Sequence, residues 1–293
     1  MMEGIYALMN TVLPLDALQF NFMKNAFLAI LLLTPLLGLL GTMAVQQQMA
    51  FFSDALGHSA LTGIGLGIVL GMHDDLLSML IFGVVWAIAI SRIKQTGTTS
   101  ADTIISVFSS TSIALGLVIL AHGGGFAKYS TLLIGDVLAV TPQDLLYLLI
   151  ALVCGVALWA VMYNALLLTG INVSLAQSRG IRTKLTEYAF AVLLAVAVML
   201  AIRWVGVMLI NALLILPAAA GRNLAKNARQ HAVISVLIAL ICGIAGLLSA
   251  YYWDTSAGAA IVLYAAAAYG ASLGIRTLRN RGGGGELRGR PLL

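Results

Sequence analysis

Nine long apolar blocks, at about 24–45, 48–71, 76–91, 103–121, 145–168, 186–202, 205–220, 231–250 and 259–275, take up most of this chain of 293 residues. A membrane-spanning helix needs roughly 20 consecutive apolar residues. Several of these blocks are shorter, and two pairs are barely separated, by Gln46-Gln47-Gln48 and by Arg203-Trp204. Such a pair can form one broken or re-entrant helix where protein or water buries it, so the blocks predict eight or nine crossings. Charge supports the same class. Lys, Arg, Asp and Glu make up 9% of the residues, against roughly 25% in soluble domains, too few to cover a soluble surface. The expected fold is an all-α polytopic membrane protein.

Other classes are excluded quickly. Intrinsic disorder does not fit 61% apolar residues. A disulfide scaffold does not fit a cysteine content of Cys154 and Cys242, both inside apolar blocks. Outside the blocks no stretch could hold a soluble catalytic or nucleotide-binding domain. The Gly-rich run from Gly123 to Ser130 lacks the second Gly and the Lys-Ser/Thr pair of a phosphate loop, and no strand precedes it. Energised work would draw on another chain or an ion gradient. One membrane domain, 1–293, is expected. Within it, 1–21 reads as an interfacial segment, as no Lys or Arg precedes Lys24 and no secretory signal pattern is evident. Residues 276–293 read as a basic Gly-rich tail.

Charge also divides the loops into two sets. Residues 92–102, 169–186, 221–230 and the tail from 276 hold 13 of the 16 basic side chains. The alternate loops hold Lys128 and Arg203 and collect Asp74, Asp75, Asp136, Asp144 and Asp254. The positive-inside rule places the basic set and the C-terminus in the cytoplasm. The net charge of +5 then reports topology and not nucleic-acid binding.

Titratable side chains inside apolar blocks are costly and usually functional. The leading pair is Asp54 and His58, four residues apart and so on one helical face, with Thr62 a further turn along. A carboxylate oxygen and an imidazole nitrogen suit Zn²⁺, Mn²⁺ or Fe²⁺. Two ligands hold an ion weakly, as a pathway requires. A buried Asp–His hydrogen bond that only packs two helices satisfies the same spacing. A helix begun near Ala44 would carry Asp54 about 15 Å along its axis. Beside the pair runs a stripe of small residues, Ala55, Ser59, Gly63, Gly67 and Gly71, suited to close helix packing. His73, His122 and His231 fall at block ends and read as loop histidines, although His73, Asp74, Asp75 and His122 could form a metal-attracting rim. Between the fifth and sixth blocks, Asn172 or Ser174 can cap a short helix that Gly180 ends.

In order and spacing the chain resembles the permease subunits of bacterial metal-ion ABC importers, the zinc, manganese and iron family, from about Phe22 to Ala271. The motif Ser53-Asp54-Ala55-Leu56-Gly57-His58-Ser59-Ala60 is similar to the family's Gly-Asp-Ala-Leu-x-His-Ala, with Ser53 for the usual Gly. Ser100 to Thr103 matches its Asp-Thr-rich helix start. Gly135-Asp136 through Pro142 looks like its zinc permeases in particular. Val205-Gly206 through Asn211 to Pro217 matches its Val-Gly-x-Leu-Leu and Pro-Ala-Ala signature. Asp254-Thr-Ser256-Ala-Gly258 matches a later block, with Ser256 where Pro is usual. The resemblance implies that Asp54 and His58 meet a transported divalent metal, zinc first and manganese or iron next. It implies that residues 172–181, with Asn172, Ala176, Arg179 and Gly180, form the coupling helix that contacts the ATPase. It further implies two permease copies, cytoplasmic ATPase subunits, an extracytoplasmic metal-binding protein, and no tightly held cofactor, ATP being hydrolysed on another chain. The rival is a secondary metal transporter using the same pair as a proton relay. It calls for inverted internal repeats, which the sequence does not display.

Overall fold

The computed structural model describes residues 4, 6, 9, 16–97, 99–122, 135 and 137–282. The Gly-rich run at 123–130, Asp136 and the tail beyond 282 lie outside the described residues. Ten α-helices and no strands occur among the described residues: α1 (Asn21–Gln46), α2 (Phe52–Val69), α3 (Asp75–Lys94), α4 (Ala101–His122), α5 (Pro142–Ile171), α6 (Val173–Ser178), α7 (Thr183–Val205), α8 (Val207–Leu224), α9 (Ala228–Trp253) and α10 (Ala257–Gly282). Every apolar block becomes its own helix. Eight of them, all but α2 and the short α6, are long and apolar enough to cross a membrane. The chain is a multi-pass membrane protein. The polar side chains of α2 (Ser53, Asp54, His58, Ser59 and Thr62) lower its hydropathy, and it lies inside the bundle, packed against α3, α4, α7 and α8.

The start signals lie where the sequence allows them. Asp74 caps α3, its carboxylate accepting from Leu76 N at 2.9 Å. Thr141 and Asp144 form a reciprocal capping box on α5, with Pro142 in the first turn. At the amino end Ala17 and Leu18 are fully packed in the core as a short 3₁₀ turn, and the Tyr6 ring covers the Lys24 ammonium at 5.4 Å.

Among the described residues, the basic and acidic loop sets gather at opposite ends of the bundle. At one end the Gln47 side chain donates to Leu166 O at 2.8 Å and Gln46 to Leu167 O at 3.3 Å. There also Lys94 Nζ donates to Gln47 O at 3.1 Å and Gln95 to Glu187 at 3.3 Å. Arg276 donates to Asn223 at 3.0 Å. This is the basic set. At the other end Trp204 Nε1 donates to Asp144 at 2.7 Å, Phe20 meets Tyr251, and Asp74, Asp144 and Arg203 line one cleft.

One connection does not follow the simple pattern. A single residue, Gly206 at φ 80° and ψ 163°, separates α7 from α8. That backbone region is essentially closed to side chains. Gly135 lies directly on the break, where a Cβ would come within 2.1 Å of Val205 O. Val137 and Val140 beside it are buried. The segment before α5 therefore folds inward against the break.

Candidate metal path

Asp54 is the third residue of α2. The reversal at Gln47–Phe51, with Gln48 at φ 56°, delays the helix start to Phe52. The carboxylate thus lies about 3 Å along the helix axis, not 15 Å. Its surroundings still place it inside the bundle. A Cβ on Gly57 would touch Val207, and Asn211 Nδ2 donates to Asp54 Oδ1 at 2.9 Å. The first two turns of α2 and α8 lie side by side and antiparallel, so the pair stands near the α7–α8 break.

His58 Nε2 approaches the same Oδ1 at 3.5 Å, which is an ion-pair distance and long for a hydrogen bond. Both side chains remain partly accessible in the single chain, 45% for Asp54 and 25% for His58. Thr62 does not join them. It is fully buried and donates to Ser112 O on α4. Eight residues at 100° each turn it some 80° from Asp54. Among the described residues no group of three or more His, Cys, Asp or Glu side chains converges. Asp74 is a helix cap, and His231 is tied to Ala218 O at 2.8 Å. His73 and His122 are exposed.

The small-residue stripe divides between roles. Gly63 and Gly67 lie against Met79 and Ser78 of α3, and Ser59 is buried with its hydroxyl on Leu56 O. Gly71 falls beyond the end of α2, in the turn before α3 at φ 73°, and packs no helix.

At the basic end α6 spans Val173–Ser178. Asn172 Oδ1 caps it by accepting from Leu175 N at 3.0 Å. Gly180 at φ 78° closes it, with Gly180 N on Gln177 O and Ile181 N on Ala176 O. These two bonds form a Schellman end. Ala176 is buried, while Val173 and Leu175 are 47% and 44% exposed. A short helix fixed at both ends thus presents an apolar face away from the bundle.

Helical spacing points to Asp54 and His58 but not to Asn211, which lies within the quoted signature. The signal was present: Asn211 is an amide inside an otherwise apolar block. The Gln46-Gln47-Gln48 run marks a break between apolar blocks in the sequence, and in the structure two of its amides also clamp the end of α1 to Leu166 and Leu167 near the end of α5.

The profile of the ABC 3 transport family matches residues 19–275. The chain belongs to that family. It is 31% identical over 252 residues to the manganese import system permease protein ScaB of Streptococcus parasanguinis, covering 85% of this chain and 88% of that one. It is 29% identical to the high-affinity zinc uptake system membrane protein ZnuB of Haemophilus influenzae, over 85% and 95%. Among solved structures it resembles PsaBC from Streptococcus pneumoniae in complex with Fab, with a TM-score of 0.76, 29% identity, and 88% and 93% coverage. The expectation of a permease-type membrane fold is met by this ABC 3 chain.

Proposed function

We propose that this ABC 3 chain is the membrane permease of an ATP-driven importer for a divalent transition-metal ion. Asp54 and His58 serve as exchangeable ligands. The reading is carried by one observation: a carboxylate and an imidazole share an oxygen-to-nitrogen approach of 3.5 Å inside the bundle, yet the single chain leaves both partly uncovered. A partly uncovered carboxylate within a membrane-spanning bundle is costly unless protein or water meets it. A second copy or a water-filled path must cover it, and a pathway between two copies does both. Each chain then supplies half of a transient site, and the ion sheds water as it meets these ligands.

Metal-importing and metal-uptake relatives support the ion class, and they divide between manganese and zinc. The basic end faces the cytoplasm, with the C-terminus inside. There α6 is the coupling helix for ATPase subunits, and ATP-driven closure of those subunits shifts the pair of permeases between outward and inward access. A metal-binding protein delivers the ion at the acidic end.

The test is reconstitution of the chain with its ATPase subunits in vesicles and measurement of radioactive metal uptake. Uptake should require ATP and stop in a complex whose ATPase is inactivated. Uptake driven by a proton gradient, without ATPase subunits, would replace this reading with the secondary transporter.

A further inference from the structure

Asn211 carries an observation that the pair alone does not explain. Its Nδ2 donates to Asp54 Oδ1 at 2.9 Å, which assigns the amide orientation, because an ionised carboxylate only accepts. Its Oδ1 is consequently turned the other way, buried, and without a hydrogen-bond partner among the described residues. Buried acceptors are seldom left unpaired, and each exception calls for an explanation. This one stands one turn past the α7–α8 break and one hydrogen bond from the proposed metal ligands.

We infer that Asn211 is a third, oxygen ligand of the transported ion, and that it biases the path toward Mn²⁺ over Zn²⁺. The inference rests on Asp54 and His58 meeting the metal. The amide group has nearly the same shape after half a turn about its terminal bond, so the exchange needs no repacking. With the path empty, Nδ2 holds the carboxylate in place. When an ion arrives beside Asp54, its positive charge repels the amide N–H and attracts the amide oxygen. The amide then rotates, and Oδ1 coordinates. The set becomes one carboxylate oxygen, one amide oxygen and one imidazole nitrogen. Carboxylate and carbonyl oxygens suit Mn²⁺, whereas Zn²⁺ takes nitrogen and sulfur readily. Adding an oxygen to an Asp–His pair therefore raises Mn²⁺ relative to Zn²⁺. The lone pair that is unsatisfied in the empty path is the one used in the loaded path, which keeps the resting site weak and the ion releasable.

The test uses the reconstituted transporter with its ATPase subunits and compares uptake of radioactive Mn²⁺ and Zn²⁺ by Asn211→Leu, Asn211→Asp and Asp54→Asn. Asn211→Leu removes both the oxygen and the N–H. Mn²⁺ uptake should fall roughly tenfold or more, the scale on which metal-site neighbours act, with Zn²⁺ falling clearly less. Asn211→Asp keeps an oxygen and loses the donor, so the Mn²⁺ preference should survive. If Asn211 only steadies Asp54 through the N–H, both variants lower the two metals by the same factor, and the inference fails. It fails equally if neither variant changes the ratio. Should Asn211→Leu not assemble, Asn211→Ala takes its place, because it also removes the oxygen and the N–H: a ligand role lowers Mn²⁺ more than Zn²⁺, whereas a steadying role lowers both by the same factor. Asp54→Asn separates the layers. Near-normal uptake there removes the metal pair itself, whereas lost uptake with an unchanged ratio in the Asn211 variants removes only the third ligand.

Discussion

Removing both ends of α6 should uncouple transport without unfolding the membrane bundle. The double variant Asn172→Ala/Gly180→Ala makes the case quantitative. Asn172 supplies one capping bond, to Leu175 N at 3.0 Å. Losing such a cap costs about 1 kcal/mol. Gly180 stands at φ 78°, and a Cβ there meets nothing within 4 Å, so its replacement is penalised by backbone conformation alone. A left-handed L-residue costs about 1–2 kcal/mol. The positions share no partner, so the costs add to about 2–3 kcal/mol. Spread over the large core this loss would be tolerated, but α6 has six residues and one buried side chain, Ala176. Isolated helices of that length do not form in water. A shift of 2–3 kcal/mol moves its local equilibrium by roughly 30- to 150-fold.

The assay has three readouts: recovery of the folded chain by size exclusion, co-purification of the ATPase subunits, and metal uptake in vesicles. Recovery should stay near wild type, while ATPase association and uptake fall together. Each single substitution should give a partial effect. Normal uptake and association in the double variant, with α6 shown to be melted by loss of protection from hydrogen exchange, would refute the coupling role. A loss of chain recovery would instead mean that α6 is part of the bundle's stability, against the exposure of its Val173 and Leu175.

Other expected outcomes follow from the same geometry. His58→Ala should reduce metal uptake strongly with expression retained, and Thr62→Val should spare the metal response, because Thr62 bonds Ser112 O and not the pair; uptake assays in cells distinguish them. Gly41→Val should prevent stable folding, since a Cβ there would lie 1.8 Å from Leu214 O and the α1–α8 approach would have to open; fluorescence-detected size exclusion reads this. Gln47→Leu removes a buried 2.8 Å bond and leaves Leu166 O without it, at about 1–3 kcal/mol, and should lower the thermal midpoint of the purified complex. A reporter fused after Arg276 should read cytoplasmic, and one inserted after Thr255 external; the opposite pattern would invert the topology.

Helices were legible because the lipid solvent writes them so plainly. Without water in the hydrocarbon layer, backbone groups must pair within each segment, and the apolar blocks map one to one onto α1–α5 and α7–α10. The short α6 was legible for a different reason: Asn172 and Gly180 are chemical signals for a start and a stop. Helix α2 was harder. Its block begins near 48, but its helix begins at Phe52, because apolarity does not report where a reversal at Gln48 takes a positive φ. That shift moved Asp54 from the expected middle of a helix to its first turn.

The site was half legible for a related reason. Spacing relates residues on one helix, so Asp54 and His58 could be paired from the sequence alone, and the fold could only test whether the pair survives. Relations between helices are invisible to periodicity. Asn211 is 157 positions away from Asp54 and reaches it only because Gly206 ends α7 and starts α8 next to Gly57. Gly206 tolerates the ψ of 163° that makes this junction one residue long, and Gly135 lies close enough to it that any side chain would collide. Two glycines separated by most of the middle of the sequence therefore set the position of an amide opposite a carboxylate. A longer, looser connection would have begun α8 elsewhere along α2 and left Asp54 with His58 alone.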